Sequence, residues 1–396
     1  MNKQSYMDQA ESNLLHTYNR FPAVLEKGEG VYLYDTDGKK YLDFAAGIAV
    51  TALGYHHPVY TDALERQIQK LLHTSNLFYN PPIITASELV KEAAEMDRVF
   101  FTNSGTEAIE GAIKAAKKYA FTRDGHSGHE IIAMKHSFHG RSIGALSVTG
   151  NSHYQDPFEP LMPGVVFAEF NNLESVKSLI TEKTCGIILE TIQGEGGIYP
   201  ATEEFLKGIR TLCNEHDICM ILDEIQCGMG RSGYMYAWQE YGVKPDIMTV
   251  AKALGNGLPV GAFLMTEKIA QKSLLPGDHG TTYGGNPLVG AAVEAVHTIF
   301  KTERIVEHVK EIAPYLEQKL DELQQKHPDK ITQRRGKGLI QGLVLTVPVS
   351  DVVRQALDRG LIVISAGSNV LRFVPPLIIE EKEVEDMFRI LDEIFR

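Results

Sequence analysis

Between residues 98 and 250 the chain alternates short, almost wholly apolar runs with longer amphipathic ones. The apolar runs, 99–101, 131–134, 165–167, 186–189, 219–222 and 247–250, do not alternate with polar residues. Strands buried on both faces have this texture, because neither parity meets water. Helical periodicity over 107–119 and 203–215 fills two of the intervals. Strands separated by helices predict an α/β fold with a mostly parallel central sheet. From about Leu288 the texture changes: two long helical stretches, 289–300 and 304–325, lead to a short βαβ-like tail that ends in an amphipathic helix. This predicts a large domain over 56–287 and a smaller α/β domain made of 288–396 together with the N-terminal segment 1–55.

Composition narrows the function. The chain has 396 residues, 43% of them apolar, which is enough for one large core and a second, smaller one. Its net charge of −12 argues against nucleic acid or an anionic membrane as partner, and no stretch approaches eighteen apolar residues. An acidic chain that takes anionic small molecules must do so through a few local cations. The polar opening and the four cysteines, Cys185, Cys213, Cys219 and Cys227, fit a reduced cytoplasmic protein with no secretory signal. Cys213, His216 and Cys219 lack a fourth partner, so they read as buried thiols rather than a metal site.

The polar clusters sit where the apolar runs stop. Thr102-Asn103-Ser104-Gly105-Thr106-Glu107 follows the first, His136-Ser137-Phe138-His139-Gly140-Arg141 the second, and Glu190 to Gly197 the fourth. Asp223-Glu224-Ile225-Gln226 and Ala251-Lys252 follow the last two. Open α/β sheets bind ligands beyond the carboxyl ends of their strands, so these clusters should converge on one crevice. Ser104-Gly105-Thr106-Glu107 reads both as a capping box and as a phosphate cradle at a helix N-terminus, and the two are compatible. Asp223 alone would be a structural acceptor and Lys252 alone a solvated cation. Together they suggest an amine that forms a Schiff base with a carbonyl cofactor and an acid that keeps a pyridine nitrogen protonated. A rival pattern, Gly228-Met229-Gly230-Arg231-Ser232-Gly233 with Asp246 downstream, matches a dinucleotide fingerprint. Asp223-Glu224 would place carboxylates where its pyrophosphate must lie, and no helix begins at Gly233.

At these motifs the sequence resembles the class III, fold-type I aminotransferases, most closely their N-acetylornithine branch, over residues 28–376. The resemblance implies pyridoxal 5'-phosphate as cofactor, with Lys252 as its covalent anchor. Gly105 and Thr106 would bind the phosphate, Phe138 and Ile225 would pack on the two ring faces, and Gln226 would touch the ring hydroxyl. Asp223 would hold the pyridine nitrogen. Thr282 would reach a neighbouring subunit's phosphate, which implies a homodimer with shared active sites. Arg141 and Arg372 would bind the substrate carboxylates, with Glu195 covering Arg372 when the donor has none there. On residue type alone both arginines would be surface ion pairs. The reaction implied is transfer of the amino group of N2-acetyl-L-ornithine to 2-oxoglutarate, giving N-acetyl-L-glutamate 5-semialdehyde and glutamate, a step of arginine biosynthesis.

Succinylornithine, ornithine and 4-aminobutyrate remain alternative donors. Ile48 stands where ornithine enzymes of this class carry tyrosine, which speaks against a free α-amino group. Gly228-Met229-Gly230-Arg231 and Thr282-Tyr283-Gly284-Gly285-Asn286 resemble the acetylornithine branch rather than the 4-aminobutyrate one. Cys227, Asn256 and Thr281 depart from the branch's commoner residues, and Thr281 is expected near substrate.

Overall fold

A computed structural model describes residues 1–396. Three short antiparallel strands, Leu25–Glu29 (β1), Tyr32–Asp35 (β2) and Lys40–Asp43 (β3), open the chain after one exposed helix. Arg98–Thr102 (β4), Glu130–Met134 (β5), Val165–Ala168 (β6) and Thr184–Glu190 (β7) follow. A small ribbon of Ile192–Gln193 (β8) and Tyr199–Pro200 (β9) precedes Cys219–Asp223 (β10), Ile247–Val250 (β11) and Gly261–Met265 (β12). All six predicted runs lie in one seven-stranded sheet of order β4-β12-β11-β10-β7-β5-β6. The expected mostly parallel α/β architecture is therefore what the chain adopts.

One strand of that sheet was not foreseen. β12 runs antiparallel to both β4 and β11. Its run Gly261-Ala262-Phe263-Leu264-Met265 is as apolar as the others, but only residues 251–260 link it to β11. A parallel return needs a crossover of a dozen or more residues, so the chain doubles back instead. The Gly105–Asp124 helix lies on this sheet through small residues. A Cβ on Gly111 would stand 2.2 Å from the Phe263 ring, so glycine sets how closely helix and strand approach.

The C-terminal part departs from the expected βαβ-like tail. After the helices Pro287–Thr302 and Ile305–Lys326 come Ile331–Lys337 (β13), Ile340–Leu345 (β14), Leu361–Ile362 (β15), Ile364–Ala366 (β16) and Val370–Phe373 (β17). β13, β14, β17 and β16 form a sheet that is antiparallel throughout. Left-handed glycines reverse the chain within both hairpins, Gly338 at φ +57 and Gly367 at φ +58. The Val349–Asp358 helix then carries the chain out of this sheet to β15, which pairs parallel with β3. N-terminal and C-terminal segments thus share a sheet, and a contiguous core of 70 buried residues ties both to the large sheet. No helix is long and apolar enough to cross a membrane.

Candidate active site

The carboxyl ends of β4, β5, β7, β10 and β11 open onto one cavity of about 520 Å³, as the strand-end clusters required. Nine of the twelve residues singled out in the sequence line it: Gly105, Thr106, Phe138, Arg141, Glu195, Asp223, Ile225, Gln226 and Lys252.

The Gly105–Asp124 helix points its N-terminus at the cavity. Ser104 caps it, its Oγ accepting from Glu107 N at 3.2 Å. Glu107 reaches back to accept from Asn103 N at 2.7 Å, one residue earlier than a capping box would have it. The N–H groups of Gly105 and Thr106 are among the first of the helix and have no intrahelical acceptor. Space there is tight: a Cβ on Gly105 would lie 2.9 Å from Ile225 Cδ1. A Cβ on Gly140 (φ +137) would lie 1.8 Å from Thr106 Oγ1. Glycine at both positions keeps open a cradle lined by backbone donors and a helix dipole, which suits a phosphate.

Asp223 ends β10 and is buried; Lys252 follows the end of the adjacent parallel strand β11 and is half-buried at the cavity. Asp223 is fixed on both sides: Oδ1 accepts from Ile225 N at 3.0 Å, and Oδ2 contacts His139 Nδ1 at 2.7 Å. Burial alone would lower the His139 imidazole, but the hydrogen bond and charge of Asp223 raise it above its ordinary value. Its Nε2 has no partner in the interior. Lys252 takes a left-handed backbone (φ 51). Burial lowers its pKa below the ordinary lysine value, and the charge of Glu195 opposes without reversing the shift. A partly desolvated amine of lowered pKa facing a cavity is the form in which lysine becomes a nucleophile and base.

Arg372 lies on β17, buried behind the cavity wall. Its Nη1 donates to Glu195 Oε1 at 2.5 Å and to Gln226 Oε1 at 3.2 Å, and Gln226 Nε2 donates to Glu195 Oε1 at 3.0 Å. Burial would push the Glu195 carboxyl up, but Arg372 pulls it below its usual range. The Gln226 amide therefore bridges acid and guanidinium. Arg141 is not a surface ion pair: its guanidinium stands 4.0 Å over the Tyr154 ring and 5.4 Å over Phe138, exposed toward the cavity. Thr281 is one step removed, its Oγ1 accepting from Asn103 Nδ2 at 3.2 Å. Thr282 is exposed and does not enter this chain's cavity.

Two titratable residues of the cavity, His139 and Glu190, were not assigned from sequence. His139 stood within a quoted motif, but its partner Asp223 lies on another strand. Glu190 closes β7, fully buried, and burial pushes its carboxyl up to about 7. Its oxygens accept from Phe138 N and Gly194 N, each at 3.0 Å.

The rival motifs fold otherwise. Residues 228–233 form consecutive turns with no helix, and the Arg231 guanidinium is buried against the carbonyls of Leu339 and Pro375. Cys213 and Cys219 are buried while His216 is exposed, so the three do not converge.

Residues 15–395 match the family model for aminotransferase class-III. The acetylornithine aminotransferase of Methanocaldococcus jannaschii is 44% identical, covering 100% of this chain and 99% of that protein. That of Clostridium acetobutylicum is 45% identical, covering 97% and 99%. Among solved structures, the acetylornithine aminotransferase of Elizabethkingia anophelis superposes with a TM-score of 0.89 at 29% identity, covering 99% and 98%. The ornithine aminotransferase of Toxoplasma gondii gives 0.94 at 29%, covering 100% and 94%; that structure has PLP at partial occupancy in its active site.

Proposed function

The chain belongs to the class-III aminotransferases, and from that premise we propose that it transfers the amino group of N2-acetyl-L-ornithine to 2-oxoglutarate with pyridoxal 5'-phosphate as cofactor. One observation carries the reading: a half-buried lysine of lowered pKa just beyond one strand and a buried aspartate ending the neighbouring strand meet at a cavity that also receives a helix N-terminus.

The residues present suit the cofactor's phosphate, its ring with the hydroxyl and nitrogen, and its carbonyl carbon. The N–H groups of Gly105 and Thr106 hold its phosphate, Phe138 and Ile225 enclose the ring, and Gln226 meets its hydroxyl. Asp223 keeps the ring nitrogen protonated, and the Lys252 amine holds its carbonyl carbon. Bound in this way, pyridoxal phosphate supplies an electron sink for the carbon that loses its proton. Lys252 would take the proton from the substrate carbon and return it one position away, as base and then acid. Arg141 binds the α-carboxylate of the acylated donor through its guanidinium fork, and Arg372 binds that of glutamate. Glu195 covers Arg372 while the acylated donor is bound and moves off it for glutamate, so one site serves two substrates. Thr281 lies near the donor. On the same reading, 56–287 is the cofactor domain, 1–55 with 288–396 the small one, and the protein works in the cytoplasm.

A panel of half-reactions tests the donor. The purified protein is expected to be yellow and to bleach fastest with N-acetylornithine, more slowly with succinylornithine, ornithine and 4-aminobutyrate. Fastest bleaching by 4-aminobutyrate would overturn the donor, and a colourless protein that takes up no pyridoxal phosphate would overturn the reading as a whole.

The active unit is a homodimer in which Thr282 completes the partner's phosphate site. In support, Leu77 is 88% exposed, Phe78 67%, Tyr79 98% and Tyr283, beside Thr282, 63%. Asn76 Nδ2 donates to Gly284 O at 2.8 Å, so the two stretches adjoin, and large apolar groups this exposed on one face mark an interface. Sedimentation of the holoenzyme should give twice the mass of one chain; a fully active monomer is the result that excludes the shared site.

A further inference from the structure

The backbone that carries Glu195 is held on both sides. Before it, Gly194 N donates to Glu190 Oε2 at 3.0 Å; after it, the Glu195 carbonyl accepts from Gly367 N at 2.9 Å. Glu190 is buried at the end of β7, and its other oxygen accepts from Phe138 N at 3.0 Å. A Cβ at residue 194 would lie 2.1 Å from Gln226 Oε1, so this backbone runs directly against the amide that bridges Glu195 and Arg372. Two N–H donors on separate loops need two acceptor oxygens at one point. A carboxylate offers them and a carboxamide does not. No cation forms a salt bridge with Glu190, and the through-space charge of His139 offsets the cost of its burial only in part.

We propose that Glu190 is a positioning residue for the Glu195–Arg372 pair. It fixes the backbone ahead of Glu195, so the pair opens by rotation of the Glu195 side chain while the loop stays in place. Arg372 is then covered whenever the bound substrate brings no carboxylate to it. This rests on the aminotransferase reading above and adds to it what keeps the two half-reactions apart. With the Gly194 tie removed, the closed pair loses its anchor. The donor that needs it closed suffers, and a dicarboxylate that must open it gains.

The experiment compares Glu190→Ala with the parent holoenzyme in the two half-reactions, alongside calorimetric binding of glutarate, a dicarboxylate that reports opening without turnover. Loss of the Phe138 tie weighs on both half-reactions alike, so the split between them reports on Gly194. The expected result is a kcat/KM for N-acetylornithine that falls about tenfold further than that for glutamate, with glutarate bound several-fold more tightly. Glu190→Asp, which keeps the charge but draws the oxygens back from Gly194 N by one methylene, should give the same split, and it decides the matter if Glu190→Ala does not fold. Equal losses in both half-reactions with unchanged glutarate affinity would reduce Glu190 to a structural tie and overturn the proposal. If the parent enzyme bleaches with neither donor, it is the aminotransferase reading that fails.

Discussion

Lys252→Ala is expected to slow amino transfer by more than about 10⁴-fold, because it removes both the covalent anchor and the proton shuttle. No neighbour can replace it as the anchor: the other titratable groups facing it are Glu195, Asp223, Glu190 and Arg372, none of which is an amine that can form the imine. The same variant separates anchoring from binding. The Gly105–Thr106 cradle and the Phe138 and Ile225 faces remain, so pyridoxal phosphate should still bind, but borohydride should no longer fix it to the chain. Mass spectrometry of the reduced protein reads this directly. Stability moves the other way. Burial lowers the Lys252 pKa, so the cofactor-free folded chain binds fewer protons than the unfolded one between that lowered value and 10.5. Lys252 therefore costs stability at neutral pH, and less of it as pH rises toward 10.5. Cofactor-free Lys252→Ala should melt above the cofactor-free parent at neutral pH, with the gap closing as pH rises. Near-parent turnover in this variant would reject Lys252 as the anchor.

Why Lys252 and Asp223 could be found without coordinates, and Glu190 could not be assigned, follows from where their partners lie. Strands buried on both faces announce themselves by continuous apolarity, and a polar residue that ends such a run has little choice but to face the crevice. That local signal located Gly105, Thr106, Asp223 and Lys252. Orientation is not local: β12 shares the texture of its neighbours, and only the short link from β11 makes it antiparallel. The tail failed for the same reason, since nothing in the runs at 331–345 and 361–373 says which sheet each strand joins. Pairing is less local still. Glu195 meets Arg372 across 177 positions, His139 meets Asp223 across 84, and Glu190 holds Phe138 across 52. The first pair was available through resemblance to a family. The other two became visible only when the strands were laid side by side.

His139 gives the Asp223 substitution a signature beyond lost activity. Asp223→Asn should lower amino transfer by at least about 10²-fold, since a neutral amide no longer favours a protonated ring nitrogen and the electron sink weakens. It should also change how stability follows pH. In the parent, Asp223 raises the buried His139 above its ordinary 6.5. The folded protein then holds a proton that the unfolded chain releases. The stabilisation from that ion pair is complete below 6.5 and is lost as pH rises through the raised folded value. In Asp223→Asn, burial is the larger remaining influence and pulls His139 the other way, so the variant loses stability as pH falls below 6.5. Melting curves of parent and variant from about pH 5.5 to 9 should therefore be far apart at the acid end and converge toward the alkaline end. Curves that stay parallel over that range would mean that His139 is neutral in both proteins. Asp223 would then be held by hydrogen bonds without an ion pair, from Nδ1–H of a neutral His139 at 2.7 Å and from Ile225 N at 3.0 Å.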